Sequence, residues 1–147
     1  MGIESFLSEE NLRLHKEYLE MLKMKKIMSL SKKEQTFTEA EIRAHTLYFS
    51  SFRKEHIPCP RIKEGYGSEN RFCFILSEHA KDIKSGFLFI YPMAHRPFVG
   101  YGTEKKHLDR ALLAIDLWEH AYFLDYGFDF SSYLTAALSH LDFSRLK

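Results

Sequence analysis

Asp116 and His120 lie four positions apart, on either side of Trp118, the only tryptophan of the 147-residue chain. A short turn or the start of a helix would bring the carboxylate and the imidazole onto one side of the backbone. Both groups can bind a metal ion, but acid and histidine pairs at this spacing are also common as surface pairs. The spacing alone therefore leaves a metal site and a surface pair as alternatives.

The residues around this pair follow the pattern D-x-W-E-H-A-Y over positions 116–122. This pattern resembles the signature of the iron/manganese superoxide dismutases, in which the aspartate and the final histidine bind the metal. Upstream, segment 85–89 resembles the S-G-W-x-W strand of that family, with phenylalanine in place of both tryptophans. Tyr133 and Leu134, with the helix after them, resemble the C-terminal end of the family, so the resemblance extends over nearly the whole chain.

The resemblance implies two further metal ligands in the N-terminal part of the chain. His45 lies in segment 44–49, which resembles the N-H-x-x-F-W helix of the family, and His15 follows a leucine as the first family ligand does. Either histidine taken alone is an ordinary helix histidine, and only their order together with the Asp116 motif favours a metal role. The implied ligand set for one iron or manganese ion per chain is His15, His45, Asp116 and His120, a mixed nitrogen and oxygen shell that suits either metal.

Membership of this family would make the protein a superoxide dismutase, which converts superoxide into oxygen and hydrogen peroxide in two half-reactions. Three positions depart from the family pattern. Lys23 stands eight residues after His15, where a tyrosine at the mouth of the substrate channel is usual. Leu19 and Phe123 replace a histidine and a tyrosine that bond to each other across the dimer. The alternative is a superoxide-dismutase-like metal-binding protein with little or no dismutase activity.

Two further positions are candidates for supporting roles. His95, between two prolines, matches the glutamine or histidine that bonds the metal-bound solvent in the family, and an exposed turn histidine is the alternative. Together with Lys23 it is a candidate catalytic residue. Glu119 is expected to bond His120 of a partner chain and so to link two metal sites in a homodimer, with an exposed salt bridge as the alternative.

The composition predicts a folded chain without a strong overall charge. Hydrophobic residues make up 45% of the chain, enough to bury a core, and the formal net charge of +1 indicates neither a nucleic-acid nor a membrane partner. The lysines of segment 23–33 are interpreted as a solvated helix end. Cys59 and Cys73 form no C-x-x-C pair, and neither a signal peptide nor a membrane-spanning run is visible, so a cytoplasmic location is expected.

The spacing of apolar residues predicts the elements that must position these groups. A helix is expected from Ser8 to about Met28. The T-x-x-E pattern at 38–41 predicts the start of a second helix that runs to about Arg53, and the two would form an antiparallel hairpin. Prolines and glycines in segment 56–68 predict an irregular connection.

The rest of the chain alternates helical and strand patterns. A helix is predicted from Ser68 to about Ile83, strands within 87–91 and 111–116, and a closing helix over 131–143. The order predicts an α+β fold. An N-terminal antiparallel helical hairpin would form one domain (1–55), and a C-terminal lobe with a small antiparallel sheet and helices would form the other (56–147).

Overall fold

A computed structural model of the protein describes residues 2–28, 31–83, 85–94 and 99–146. Within these ranges the chain forms seven α-helices and three β-strands, with short 3-10 helices at Ile3–Ser5 and Phe143–Leu146. In chain order the elements are α1 (Glu9–Met28), α2 (Lys32–Ser50), α3 (Pro60–Tyr66), α4 (Glu69–Lys81), β1 (Phe87–Pro92), β2 (Val99–Gly102), α5 (Lys105–Leu108), β3 (Leu113–Asp116), α6 (Glu119–Tyr126) and α7 (Phe130–His140). The predicted α+β fold with an N-terminal helical hairpin is confirmed.

The first helix of the hairpin agrees with its predicted limits, whereas the second begins earlier. Helix α1 follows Ser8, whose hydroxyl accepts a hydrogen bond from the Asn11 amide at 3.1 Å. Helix α2 begins at Lys32, because the Ser31 hydroxyl accepts from the Glu34 amide and caps the helix there. The predicted start at segment 38–41 is therefore wrong, since that segment lies inside a helix that an earlier serine had already opened.

The connection after the hairpin also differs from the prediction. Segment 56–68 was expected to be irregular, but Pro60 begins the short helix α3. A proline is tolerated at the first position of a helix, where its missing amide hydrogen would have no partner in any case. Gly67 ends α3 with a φ of 88°, which few other residues adopt. The glycine and proline signals therefore mark the two ends of a helix instead of a continuous loop.

A three-stranded antiparallel sheet forms the centre of the C-terminal part, with strand order β2-β1-β3. Phe89 of β1 lies opposite Gly102 of β2 and Ala114 of β3. Both predicted strand runs contribute to the sheet, although the second strand, β3, begins only at Leu113. Every residue of β3 is buried, so Asp116 at its end is held inside the protein.

The hairpin is joined to the sheet by a buried hydrogen bond and by the core. The Ser51 hydroxyl, just after α2, accepts from the Ala114 amide of β3 at 2.9 Å. One hydrophobic cluster contains Tyr48 of the hairpin together with Leu88 and Ile115 of the sheet. These contacts set the position of α2 relative to the end of β3. The division into domains 1–55 and 56–147 remains a prediction.

Among the described residues, no helix combines the length and the apolar composition needed to cross a lipid bilayer. The cytoplasmic location expected from the sequence remains a prediction.

Candidate metal centre

Four side chains from four different elements meet between the hairpin and the C-terminal part. His15 comes from the middle of α1, His45 from α2, Asp116 from the end of β3 and His120 from the first turn of α6. The side chains of His15, His45 and Asp116 have no exposed surface, while that of His120 is 34% exposed. The cluster is therefore closed on three sides and reaches solvent past His120.

The four groups converge on one point. Their potential ligand atoms all lie within 4.8 Å of one another. Asp116 Oδ2 lies 3.0 Å from Nε2 of His15, 3.1 Å from Nε2 of His120 and 3.4 Å from Nε2 of His45. Ligands about 2.1 Å from a first-row metal ion and separated by 90–110° at the ion are themselves about 3.0–3.4 Å apart. The spacings around Asp116 therefore fit four ligands of one ion.

The orientation of His15 supports the same conclusion. Its Nε2 lies 3.0 Å from Asp116 Oδ2, yet the ring is not turned to donate a hydrogen bond to that oxygen. Within the described residues neither ring nitrogen of His15 has a hydrogen-bond partner. A buried polar side chain without a partner is costly. A cation between His15 and Asp116 would satisfy both the nitrogen lone pair and the carboxylate, so the donor set fits a metal ion.

His45 has the tautomer that a metal ligand needs. Its Nδ1 lies 2.8 Å from the carbonyl oxygen of Glu41, and only a protonated Nδ1 can donate to that acceptor. The lone pair of a neutral His45 is then on Nε2, which points into the cluster and lies 3.4 Å from Nε2 of His120. Burial is the main reason that the pKa of His45 is lowered, which keeps this imidazole neutral.

Asp116 is held in place by hydrogen bonds to its second oxygen and to its main chain. Oδ1 accepts from the Trp118 amide at 2.9 Å, so Oδ2 is left for the cluster. The Asp116 carbonyl accepts from the Tyr133 hydroxyl at 2.7 Å, and the Tyr48 hydroxyl, 2.8 Å away, donates to that of Tyr133. Both tyrosines are fully buried, and burial raises the pKa of each well above its ordinary value. These phenols therefore remain protonated and act as fixed donors.

The charge of Asp116 is stabilised despite complete burial. Burial alone raises the pKa of this carboxyl, but contacts with His120 and His15 lower it by more, and the net pKa lies below the ordinary value. The cluster therefore contains one carboxylate anion, which complements a cation.

A cavity of 220 Å³ leads from the surface to His120. Tyr18, Lys25, Thr38, Glu41 and Trp118 contribute to its walls. A small molecule could reach the exposed edge of the cluster through it.

Tyr18 is a neighbour of the cluster that the sequence reasoning missed. Its ring centroid lies 4.8 Å from that of His120 and 5.4 Å from that of His45. Burial, followed by the negative charges of Glu41 and Asp116, raises the pKa of the Tyr18 hydroxyl. A signal was available, because Tyr18 lies three positions after His15 and so on the same face of α1.

The structure places Lys23 apart from this cavity. The Lys23 ammonium forms an exposed ion pair with Glu20 at 3.0 Å, and Lys25 is the lysine that lines the cavity. Leu19 is buried and Phe123 is 48% exposed. His95, the other candidate catalytic residue, lies outside the described residues.

A comparison with protein families finds one match. The model for the iron/manganese superoxide dismutases, C-terminal domain, matches residues 59–147. This range includes Asp116 and His120, while the two histidines of the hairpin lie before it. A comparison with curated proteins gives no match.

Proposed function

The chain belongs to the iron/manganese superoxide dismutase family, and from this premise we propose that it converts superoxide into oxygen and hydrogen peroxide. The reaction would take place at one iron or manganese ion per chain. The proposed ligands are His15, His45, Asp116 and His120. Imidazole and carboxylate ligands suit both metals, so the donor set is consistent with iron and with manganese and does not distinguish between them.

The observation that carries this proposal is the convergence of three imidazoles on one oxygen, Oδ2, of the Asp116 carboxylate. In addition, both ring nitrogens of His15 lack a hydrogen-bond partner among the described residues. The alternative of an exposed acid and histidine pair does not account for it, because three of the four side chains are fully buried. Buried polar groups brought together at this cost are typical of functional sites.

The bound ion would supply one-electron redox chemistry, so that two superoxide ions and two protons give one oxygen and one hydrogen peroxide molecule. The chain provides the access route and groups that hold protons. Tyr18 and Glu41 both line the cavity. Burial first, and then the charge of Asp116, raises the pKa of Glu41, which helps this carboxyl to keep a proton.

A metal-binding relative with little dismutase activity is the second candidate. It is favoured by the position of Lys23, which points to solvent beside Glu20, and by Leu19 and Phe123, which cannot form the hydrogen bonds expected from the family resemblance. Tyr18 favours the first candidate, an active dismutase. It brings a phenol to the cluster from position 18 of α1, whereas the family resemblance leads one to expect a tyrosine at position 23.

A homodimer is part of the proposal. Glu119 is exposed, and the His120 side chain is one-third exposed beside Trp118 and Phe123, which are also exposed. A twofold contact would place Glu119 of each chain against His120 of the other. The Glu119 carboxylate, desolvated at the interface, would accept a hydrogen bond from the second ring nitrogen of His120 and so orient that imidazole.

Metal content and superoxide consumption measured on one purified sample test the proposal. His45→Ala should lose most of the bound iron or manganese and the activity that depends on it. His79→Ala, in helix α4 and outside the cluster, is the matched control and should retain both. Full metal stoichiometry in His45→Ala would rule out the ligand set. Full metal content with negligible turnover in the unchanged protein would favour the second candidate.

A further inference from the structure

The free end of the α1–α2 hairpin concentrates positive charge. Lys25, Lys32 and Lys33 are exposed, and none has an ion-pair partner in the part of the chain that the structure describes. Lys23 and Lys26 lie at the same end, but they pair with Glu20 at 3.0 Å and Glu39 at 3.8 Å. The unpaired lysines therefore produce a local positive potential, which the overall charge of +1 does not indicate.

Large apolar side chains are also exposed at this end of the hairpin. The exposed fractions are 57% for Met24, 77% for Ile27, 72% for Met28 and 63% for Phe37. Three of these side chains lie in the last turns of α1 and Phe37 lies near the start of α2, and such a concentration of exposed apolar residues at one end of the hairpin indicates an interaction site. The sequence interpretation of a solvated helix end accounts for the lysines and leaves these apolar residues unexplained.

The two sets form one surface, because antiparallel helices bring the end of α1 beside the start of α2. The Lys26–Glu39 contact joins the two helices just below this end. Lys32, Lys33 and Phe37 also line a shallow hollow of 490 Å³, which Lys105 of α5 completes. We call the surface made by Met24, Lys25, Ile27, Met28, Lys32, Lys33 and Phe37 the hairpin end.

We propose that the hairpin end docks onto membrane surfaces rich in anionic lipid. Ile27, Met28 and Phe37 would enter the boundary between headgroups and acyl chains, while the lysine ammonium groups contact lipid phosphates. Lysine suits this position because its aliphatic stem packs on apolar groups while its charge stays in the polar layer. An apolar face with interspersed lysines is the composition of segments that bind at the interface without crossing the bilayer.

Other occupants account for only part of this surface. A nucleic acid would use the lysines and could stack on Phe37, but Ile27 and Met28 would have no role along a phosphate backbone. A second copy of this chain would cover the apolar residues, but a twofold contact would bring the unpaired lysines of both copies together. An anionic bilayer satisfies the charge and the apolar surface at once.

Docking would hold the candidate metal centre near the membrane and would bring the outer wall of its cavity, formed in part by Lys25 and Phe37, to the lipid surface. Met28 lies thirteen positions after His15 on α1, which corresponds to about 20 Å along the helix axis. None of the proposed metal ligands belongs to the hairpin end. Membrane binding is therefore independent of metal loading and can be measured whether or not the proposed reaction occurs.

Vesicle co-sedimentation tests the contribution of charge. The full chain should bind vesicles of phosphatidylcholine with about one-third phosphatidylglycerol, and bind pure phosphatidylcholine far more weakly. The double substitution Lys32→Gln with Lys33→Gln should reduce partitioning about 25-fold, since each lysine near an anionic surface contributes about fivefold. The matched control, Lys54→Gln with Lys63→Gln, changes two exposed lysines beyond the opposite end of α2 and should bind as the unchanged protein does.

A second pair of variants tests the apolar contribution. Phe37 and Phe74 lie on helices α2 and α4 and are 63% and 64% exposed. Phe37→Ser should lower vesicle partitioning about tenfold, and Phe74→Ser should leave it unchanged. Circular dichroism on both variants establishes that they retain the helical fold.

Several results would overturn the proposal. These are equal binding to charged and uncharged vesicles, equal losses in the hairpin-end variants and their controls, and tighter binding of a single-stranded RNA oligonucleotide than of anionic vesicles. Light scattering that showed Phe37→Ser, but not Phe74→Ser, converting an oligomer to a smaller species would assign the surface to a second copy instead.

Discussion

The Tyr133 hydroxyl donates a 2.7 Å hydrogen bond to the main-chain carbonyl of Asp116, and it accepts one from Tyr48. Tyr133→Phe should therefore leave a buried carbonyl without its partner and reduce the free energy of unfolding by about 1–3 kcal/mol. Tyr48→Phe, which leaves that carbonyl bond intact, should cost less. Urea unfolding of both variants measures the difference. Equal losses in the free energy of unfolding would show that the hydrogen bond from Tyr133 to the Asp116 carbonyl contributes no more than the one from Tyr48.

Thr38→Val should stabilise the protein. The Thr38 side chain is buried, and its hydroxyl has no hydrogen-bond partner in the described part of the chain. Replacing this hydroxyl by a methyl group of similar shape removes a desolvation cost of about 1 kcal/mol. Thr46→Val is the matched control, because the exposed Thr46 hydroxyl donates to the Ile42 carbonyl at 2.8 Å on the same helix. A lower melting temperature for Thr38→Val than for the unchanged protein would contradict the prediction and indicate that the hydroxyl holds a water or ligand in the cavity.

Asp125 should make the stability depend on pH in the acid range. Its Oδ2 accepts from the Ser8 amide at 2.8 Å and from the Asn11 side chain at 3.0 Å, joining α6 to the start of α1. Partial burial raises the pKa of Asp125, but these hydrogen bonds lower it by more, and the net pKa is below its ordinary value. A carboxyl with a lowered folded-state pKa stabilises the protein above the unfolded pKa of about 3.9, and this contribution is lost as the pH falls through the folded value.

Asp125→Asn should therefore be less stable than the unchanged protein at pH 7 by about 1 kcal/mol or less, since the group is exposed. The difference should shrink toward pH 3. Urea titrations at both values measure it, with the exposed Glu55→Gln as the control. A constant difference between the two pH values would exclude Asp125 as the cause.

Lys25 should control the approach of anions to the cavity, and Lys23 should not. Lys25 and Trp118 both line the cavity, and Trp118 is the only tryptophan, so quenching of its fluorescence reports on ions that arrive there. A unit charge roughly 8 Å away in water changes the local anion concentration about twofold. At low salt, Lys25→Gln should lower quenching by iodide about twofold, while quenching by neutral acrylamide stays unchanged.

Lys23→Gln is the matched control, because it removes the same charge two positions away, from a side chain paired with Glu20. It should leave iodide quenching unchanged. If the two variants lost iodide quenching equally, the local position of Lys25 would have no importance and only net charge would matter. The experiment needs no bound metal.

The sequence alone was sufficient for the features that depend on neighbouring residues. The extent of α1 follows from helical spacing and a serine cap, and the pairing of Asp116 with His120 follows from a separation of four at a strand-to-helix junction. The family resemblance was also carried by short contiguous motifs, and the match over residues 59–147 confirms it. The start of α2 was missed because two patterns, at Ser31 and at Thr38, are both consistent with a helix start, and only the observed cap distinguishes them.

The tertiary structure decided which residues share the site. His15 and His45 are thirty positions apart, and the packing of α1 against α2 brings their ring centroids to 5.2 Å. The same packing determines which side of α1 faces His120, and this side carries Tyr18 and Lys25 instead of Lys23. Helical periodicity relates these residues to one another, but the rotation of a helix about its axis is determined by contacts with residues distant in the chain, which local sequence does not contain.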